Sequence, residues 1–217
     1  MKLVFLGKPG AGKGTQADRM SDEWDLLHAS TGDMFREAVD EGTEVGKQAK
    51  EYMDKGLLVP DEVTCRVVEE MVVERHDHYV LDGFPRTVPQ ADALEEMLQK
   101  RNQELDGVLC FDIDEEEATK RLTGRLVCED CGKNYHESFM PPEKEGVCDN
   151  CGGALKTRSD STKGAVEKRM EEYREKTRPL IDYYDDKDLL RTVDASLPPD
   201  EVSEKTRQVL SELEGGA

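Results

Sequence analysis

Two hydrophobic rhythms run through this chain. Short, mostly apolar runs occur at 2–6 (KLVFL), 79–82 (YVLD), 107–112 (GVLCFD) and 189–193, each bounded by glycine, proline or charge. Runs of that length predict buried strands. Between them, apolar residues recur at helical spacing and predict helices at 13–24, 34–40, 44–54, 61–74, 88–101, 115–123, 163–176 and 198–214. Residues 30–33 (STGD) supply N-cap chemistry for the second helix, Gly56 ends the third, and Asp61 is expected to cap the fourth. Pro179 should bend or restart the helix that begins at Lys163. Strands alternating with helices predict an α/β fold with a parallel sheet covered on both faces. From 125 to 160 the periodicity fails, and the stretch reads as an insertion with its own short turns and strands.

Charge narrows the class of function. There are 49 acidic residues against 30 basic, a formal net charge of -19, and the mean hydropathy is -0.74. Such a chain repels nucleic acid and anionic membranes. Two readings of the acidity stay open, a generic acidic protein and adaptation to high salt. No apolar run approaches the ~18 residues that a membrane span needs. The N-terminal apolar run passes straight into a glycine-rich loop, so a cytoplasmic location is expected.

That loop carries the first specific chemistry. Gly7 through Lys13 satisfy G-x-x-x-x-G-K, after a predicted strand and at the start of a predicted helix. Its backbone N–H groups can converge on phosphate oxygens, and Lys13 can reach the β- and γ-phosphates. Gly14 stands where the common motif has Ser or Thr, and Thr15 follows. Without a hydroxyl directly after the lysine, Mg²⁺ must be held by phosphates, water and an acid elsewhere. Asp82, closing the YVLD strand, is the candidate.

GKPGAGKGTQA, STGDMFR and LDGFPRT-x-PQA, followed by the later arginines, run in order along essentially the whole chain. In these motifs the sequence resembles the adenylate kinase family. The resemblance implies a P-loop NTPase-type three-layer sandwich with a central parallel sheet. Its core would comprise 1–29, 60–123 and 162–217, with an AMP-binding subdomain at 30–59 and a lid at 124–161. It implies phosphoryl transfer between ATP and AMP, giving ADP, by a monomer. ATP would contact Gly10, Ala11, Gly12, Lys13, Gly14, Thr15, Arg121, Arg125, Asn134, Tyr135 and, through backbone only, Leu197. AMP would contact Thr31, Arg36, Leu57, Leu58, Val59, Gly83, Phe84, Pro85, Arg86 and Gln90, with Gln90 reading the adenine edge. Arg158 and Arg169 would bridge the two nucleotides. Lys13, Arg86, Arg121, Arg125, Arg158 and Arg169 would form the catalytic set. Phosphoryl transfer is positioning plus charge neutralisation, and guanidinium forks suit phosphate oxygens. The attacking AMP phosphate is already ionised, so no general base is required.

Six cysteines are present. Cys65 and Cys110 stand alone, whereas Cys128, Cys131, Cys148 and Cys151 form C-x2-C-x16-C-x2-C. That spacing suits structural zinc held by four thiolates, with no open position for catalysis. His136 reads as a surface residue beside a filled shell. A zinc ribbon can also bind nucleic acid, but residues 125–160 hold five Lys/Arg against seven Asp/Glu, a net of -2. A kinase for UMP, CMP or GMP is the nearer alternative, against which the resemblance sets Thr31 and Gln90.

Overall fold

The computed structural model describes residues 1–157 and 159–215. A five-stranded, wholly parallel sheet forms its centre, built from β1 (Lys2–Gly7), β2 (Leu27–Ser30), β3 (Tyr79–Asp82), β4 (Gly107–Asp112) and β8 (Leu190–Asp194). The order across the sheet is β2-β3-β1-β4-β8. Strand β1 is fully buried along its apolar run, and its side chains alternate between the sheet's faces. Leu3 and Phe5 pack on one side with Met20, Leu122, Val166 and Leu210. Val4 and Leu6 pack on the other with Val72, Leu94, Leu98 and Leu180. Each fully buried side chain of this size contributes roughly 1.5–3 kcal/mol.

Two sequence expectations change here, and a third is refined. Strand β2 has no counterpart among the predicted strands. It is a four-residue edge strand in which Ala29 alone is fully buried, so LHAS lacks an apolar run. Asp61 does not cap its helix. The N-cap is Pro60, and Asp61 is the first residue of α4 (Asp61–Val68), its carboxylate turned sideways to Thr87 and Gln90. Pro179 restarts the helix, as its position in the sequence predicts, and is the first residue of a new helical segment. A π turn (Tyr173–Thr177) follows α7 (Lys163–Glu172) and leads directly into α8 (Pro179–Asp185), with the Arg178 N–H donating to the Tyr173 carbonyl at 2.8 Å. Proline is tolerated at the first position of α8, where the N–H it lacks is not needed for the helix's own hydrogen bonds. A second π turn (Glu69–Val73) extends α4.

Two small elements project over one end of the sheet. Helices α2 (Thr31–Asp40) and α3 (Glu44–Met53) enclose a minor core of Phe35, Ala49 and Val59. Ser30 caps α2, accepting from the Asp33 N–H at 3.3 Å, as the STGD motif predicts. The irregular insertion forms an antiparallel sheet, β6 (Asn134–His136), β5 (Arg125–Cys128) and β7 (Leu155–Thr157), in that order. The remaining helices are α1 (Lys13–Trp24), α5 (Val88–Lys100), α6 (Glu115–Thr123) and α9 (Pro199–Gly215). No helix among the described residues is long and apolar enough to cross a membrane.

Candidate active site

In an open parallel sheet, ligands bind beyond the carboxyl ends of the strands, where the strand order reverses. Here β1 has β3 on one side and β4 on the other. Ser30 and Asp82, which end β2 and β3, line a cleft of about 660 Å³, and Gly7, which ends β1, borders a smaller cavity beside it.

The loop after β1 opens the site. Gly10 and Gly12 sit at φ 88° and 87°, a left-handed conformation that side chains disfavour. The loop delivers Lys13 to the first position of α1, where Nζ donates to the Gly7 carbonyl at 2.8 Å and the Lys8 carbonyl at 3.1 Å. Burial lowers the Lys13 ammonium to about 8; Arg86, Arg169 and Arg125 push the same way, while Asp82 pulls against them. Burial and the neighbouring guanidinium groups together outweigh the pull of Asp82 on the lysine. Gly14 has a local reason as well: a Cβ there would lie 3.2 Å from the Asp82 carboxylate. A side chain after Lys13 would press on the acid proposed to serve the metal.

Asp82 has a partner that the sequence reading missed. Burial pushes its carboxyl up, but His28 and Lys13 outweigh burial and hold it below the usual carboxylate range. His28 lies between two acids, with Nδ1 2.6 Å from Asp18 and Nε2 3.6 Å from Asp82. Burial disfavours its charge, yet Asp18 and Asp82 prevail and raise the imidazole to about 10. Nothing in the sequence pointed to His28, because its strand was not predicted and Asp82 is 54 residues away.

One wall comes from α2, the turn after β3 and α5. Thr31 Oγ1 donates to the Gly83 carbonyl at 2.9 Å, and Arg86 Nε donates to the same carbonyl at 2.8 Å. Gly83 is at φ 80°, and a Cβ there would lie 3.0 Å from the Thr31 hydroxyl. Arg36 pairs with Asp33, and Leu57, Leu58 and Val59 form an apolar edge of the cleft. Gln90 is buried, with its amide engaged on both sides.

The opposite wall brings Arg125, Lys133, Asn134 and Arg169 to the cleft. Arg169 pairs with Asp160 at 2.9 Å. Asn134 Oδ1 is buried with no hydrogen-bond partner among the described residues. Several predicted contacts lie off the cleft lining. Arg121 donates to the Ala195 carbonyl at 2.8 Å and the Ser196 carbonyl at 3.2 Å, pairs with Glu117, and stands 5.6 Å from the Phe139 ring centre. Tyr135 is buried and turned toward the cysteines, so its hydroxyl does not reach the cleft. Leu197 packs against the core. Ala11 and Phe84 are buried, Thr15 lies outside the lining, and Pro85 borders a smaller adjoining cavity of about 70 Å³. Arg158 lies outside the described residues.

The four cysteines converge. Their sulfurs all lie within 4.8 Å of one another, with Cys128–Cys151 at 3.5 Å and Cys131–Cys148 at 3.6 Å. These separations are too long for disulfides. They suit a metal–thiolate tetrahedron, whose edges measure about 3.8 Å for bonds of ~2.3 Å. The two CxxC pairs form matching knuckles. Gly132 N–H donates to the Cys128 carbonyl at 3.2 Å, and Gly152 N–H to the Cys148 carbonyl at 2.8 Å. Tyr135 braces the second knuckle, accepting from the Asp149 N–H at 2.8 Å while its hydroxyl meets Cys148 Sγ at 3.4 Å. This cluster can hold a metal.

The cleft is a cationic island. Lys13, Arg36, Arg86, Arg125, Lys133 and Arg169 line it against Asp18, Asp33, Asp82 and Asp160, in a chain of net charge -19. Comparison with known proteins agrees with this chemistry. The profile of one family, described as adenylate kinase, matches residues 5–189. The chain belongs to the adenylate kinase family. Full-length relatives named adenylate kinase include that of Caldicellulosiruptor saccharolyticus, 46% identical and covering 98% of this chain and 99% of its own. The adenylate kinase of Archaeoglobus fulgidus is 47% identical, with the same coverage. That of Methanosarcina barkeri is 47% identical over 98% of this chain and 100% of its own. An adenylate kinase must bring two polyanions face to face, and the cleft gathers its cations from three separate parts of the fold.

Proposed function

We propose that this chain catalyses reversible phosphoryl transfer from ATP to AMP, giving two ADP, with ATP on the phosphate loop and AMP against α2 and α5. The observation that carries this reading is the cationic cleft between the phosphate loop, the α2–α3 unit and the three-stranded insertion. The proposed division is a core of 1–29, 60–123 and 162–217, an AMP-binding subdomain at 30–59 and a lid at 124–161.

Lys13 and the loop N–H groups hold the β- and γ-phosphates, and α1 directs its positive end at them. Arg36 and Arg86 hold the AMP phosphate. Arg125 and Arg169, with Arg158, neutralise charge that spreads over the transferring group. Arg169 exchanges Asp160 for phosphate oxygen when the substrates enter. Asp82 would hold Mg²⁺ through water, and the ion would supply charge neutralisation between the phosphates. The four cysteines hold Zn²⁺, which shapes the lid and takes no part in the chemistry. The enzyme acts as a cytoplasmic monomer without nucleic-acid or membrane partners. A coupled assay for ADP formed from ATP and AMP tests the reaction, and the absence of AMP-dependent turnover refutes it.

The acidic surface is read as adaptation to high salt. The outer charges repel one another in dilute buffer, and salt screens that repulsion. Thermal stability should therefore rise steadily from low to molar KCl, and a maximum in dilute buffer would contradict the reading.

A further inference from the structure

Gln90 lines the cleft with its side chain 2% exposed, so its amide can turn only as its partners permit. Those partners are chemically unambiguous. The Arg86 backbone N–H can only donate, and it lies 2.7 Å from one amide atom, which must be the oxygen Oε1. The Asp61 carboxylate offers only lone pairs, and it lies 2.7 Å from the other, which must be the nitrogen Nε2. Asp61 is itself held, because its second oxygen accepts from the Thr87 hydroxyl at 2.8 Å. Thr87 is in turn fixed as the N-cap of α5, accepting from the Gln90 N–H at 3.2 Å. Each amide atom keeps one unused bonding direction, a lone pair on Oε1 and a hydrogen on Nε2.

We propose that Asp61 is a positioning residue for base choice. Together with the Arg86 N–H, it locks the Gln90 amide one way round, so that the monophosphate site accepts an amino–ring-nitrogen edge and rejects a keto–imino edge. Adenine presents an N6 amino donor beside the N1 acceptor, which pairs with Oε1 and Nε2 together. Hypoxanthine presents a carbonyl beside an N1–H, so both contacts become repulsive, and uracil fails in the same way. A freely turning amide would have served either edge. Rejection by a fixed hydrogen-bonding group far exceeds what an apolar pocket achieves. This inference rests on AMP being the acceptor substrate.

The test compares AMP, IMP and purine riboside monophosphate as phosphoryl acceptors, with ATP as donor. In the wild type the order should be AMP, then purine riboside monophosphate, then IMP. The 6-unsubstituted purine only loses a bond, whereas hypoxanthine opposes two. IMP turned over as well as the unsubstituted purine would overturn the lock, and needs no variant. Asp61→Ala leaves the amide held only at Oε1, by the Arg86 N–H; it should raise KM for AMP, leave KM for ATP unchanged, and reduce the AMP-to-IMP ratio of kcat/KM by about tenfold. Asp61→Asn keeps an oxygen for Nε2 and should retain the ratio within about threefold. Parallel losses on AMP and IMP in Asp61→Ala, with the ratio intact, would reduce Asp61 to a structural role and overturn the inference while leaving the AMP reading standing. A wild type that does not phosphorylate AMP would overturn both.

Discussion

Lys13→Met should lower kcat by on the order of 10³-fold, the scale set by removing one preorganised charge from a developing transition state. The argument rests on where the lysine sits before any nucleotide arrives. Its ammonium rests on the Gly7 and Lys8 carbonyls, in surroundings that already disfavour its charge. Triphosphate oxygens replace those carbonyl contacts with charge-assisted ones, and the interaction tightens as negative charge shifts between the phosphates. The same geometry predicts that the fold survives. Methionine removes a poorly compensated buried cation and keeps most of the stem's volume, so the melting temperature should stay within a few degrees. Near-normal turnover in Lys13→Met would refute the catalytic scheme. A large loss of stability would refute the statement that this charge serves function at the fold's expense.

The second large effect concerns the metal that the four cysteines are proposed to hold. The insertion buries Cys128, Tyr135 and Cys148, with Leu126 and Leu155 partly buried beside them. That apolar cluster is too small to hold some 38 residues in one shape. Metal binding to four thiolates can supply ~10–16 kcal/mol of folding free energy. Removing the metal with a strong chelator, or replacing Cys148 by Ser, should therefore unfold the insertion and leave the parallel sheet intact. Arg125 and Asn134 would lose their positions at the cleft, and kcat should fall by about 10²-fold. Far-UV circular dichroism should keep most of its helical signal, because the long helices lie outside the insertion. Metal content should fall from one ion per chain to none. Full activity in metal-free protein would contradict the structural role.

How much of this was legible in the sequence depended on how local the determinants were. The phosphate loop was fully legible, because strand, glycines, lysine and helix start lie within about fifteen consecutive residues. The CxxC pairs were legible for the same reason, since each knuckle closes on itself through a single turn. Strand β2 was not legible. It lies at the sheet edge, and its apolar content is one alanine among half-buried neighbours. His28 was lost with it, although it holds the acid that the sequence did identify. Asp61 was seen only as a helix-start residue. Its second function depends on Thr87 and Gln90, 26 and 29 residues away, and no periodicity encodes that meeting. Tyr135 shows the reverse limit. The family resemblance implied an ATP contact for it, while the alternation of β6 turns its ring toward the cysteines and leaves Asn134 to face the cleft. Pro179 marked the point where the helix restarts, but no local signal showed the π turn that leads into it.

The two sets of cations and acids also explain one another. A chain of net charge -19 can hold two nucleotides only if its positive groups are shielded from the rest of the surface. Two of these cations are paired with acids of the cleft, Arg36 with Asp33 and Arg169 with Asp160. On the proposed function, phosphate oxygens would take the place of these acids.

The most direct test of the central claim is ADP formation from ATP and AMP in a coupled assay, with metal content measured on the same sample. Turnover that requires both nucleotides, accompanied by about one bound metal ion per chain, is the predicted result. ATP consumption that does not depend on AMP, or no ADP formation by metal-replete protein, would contradict it.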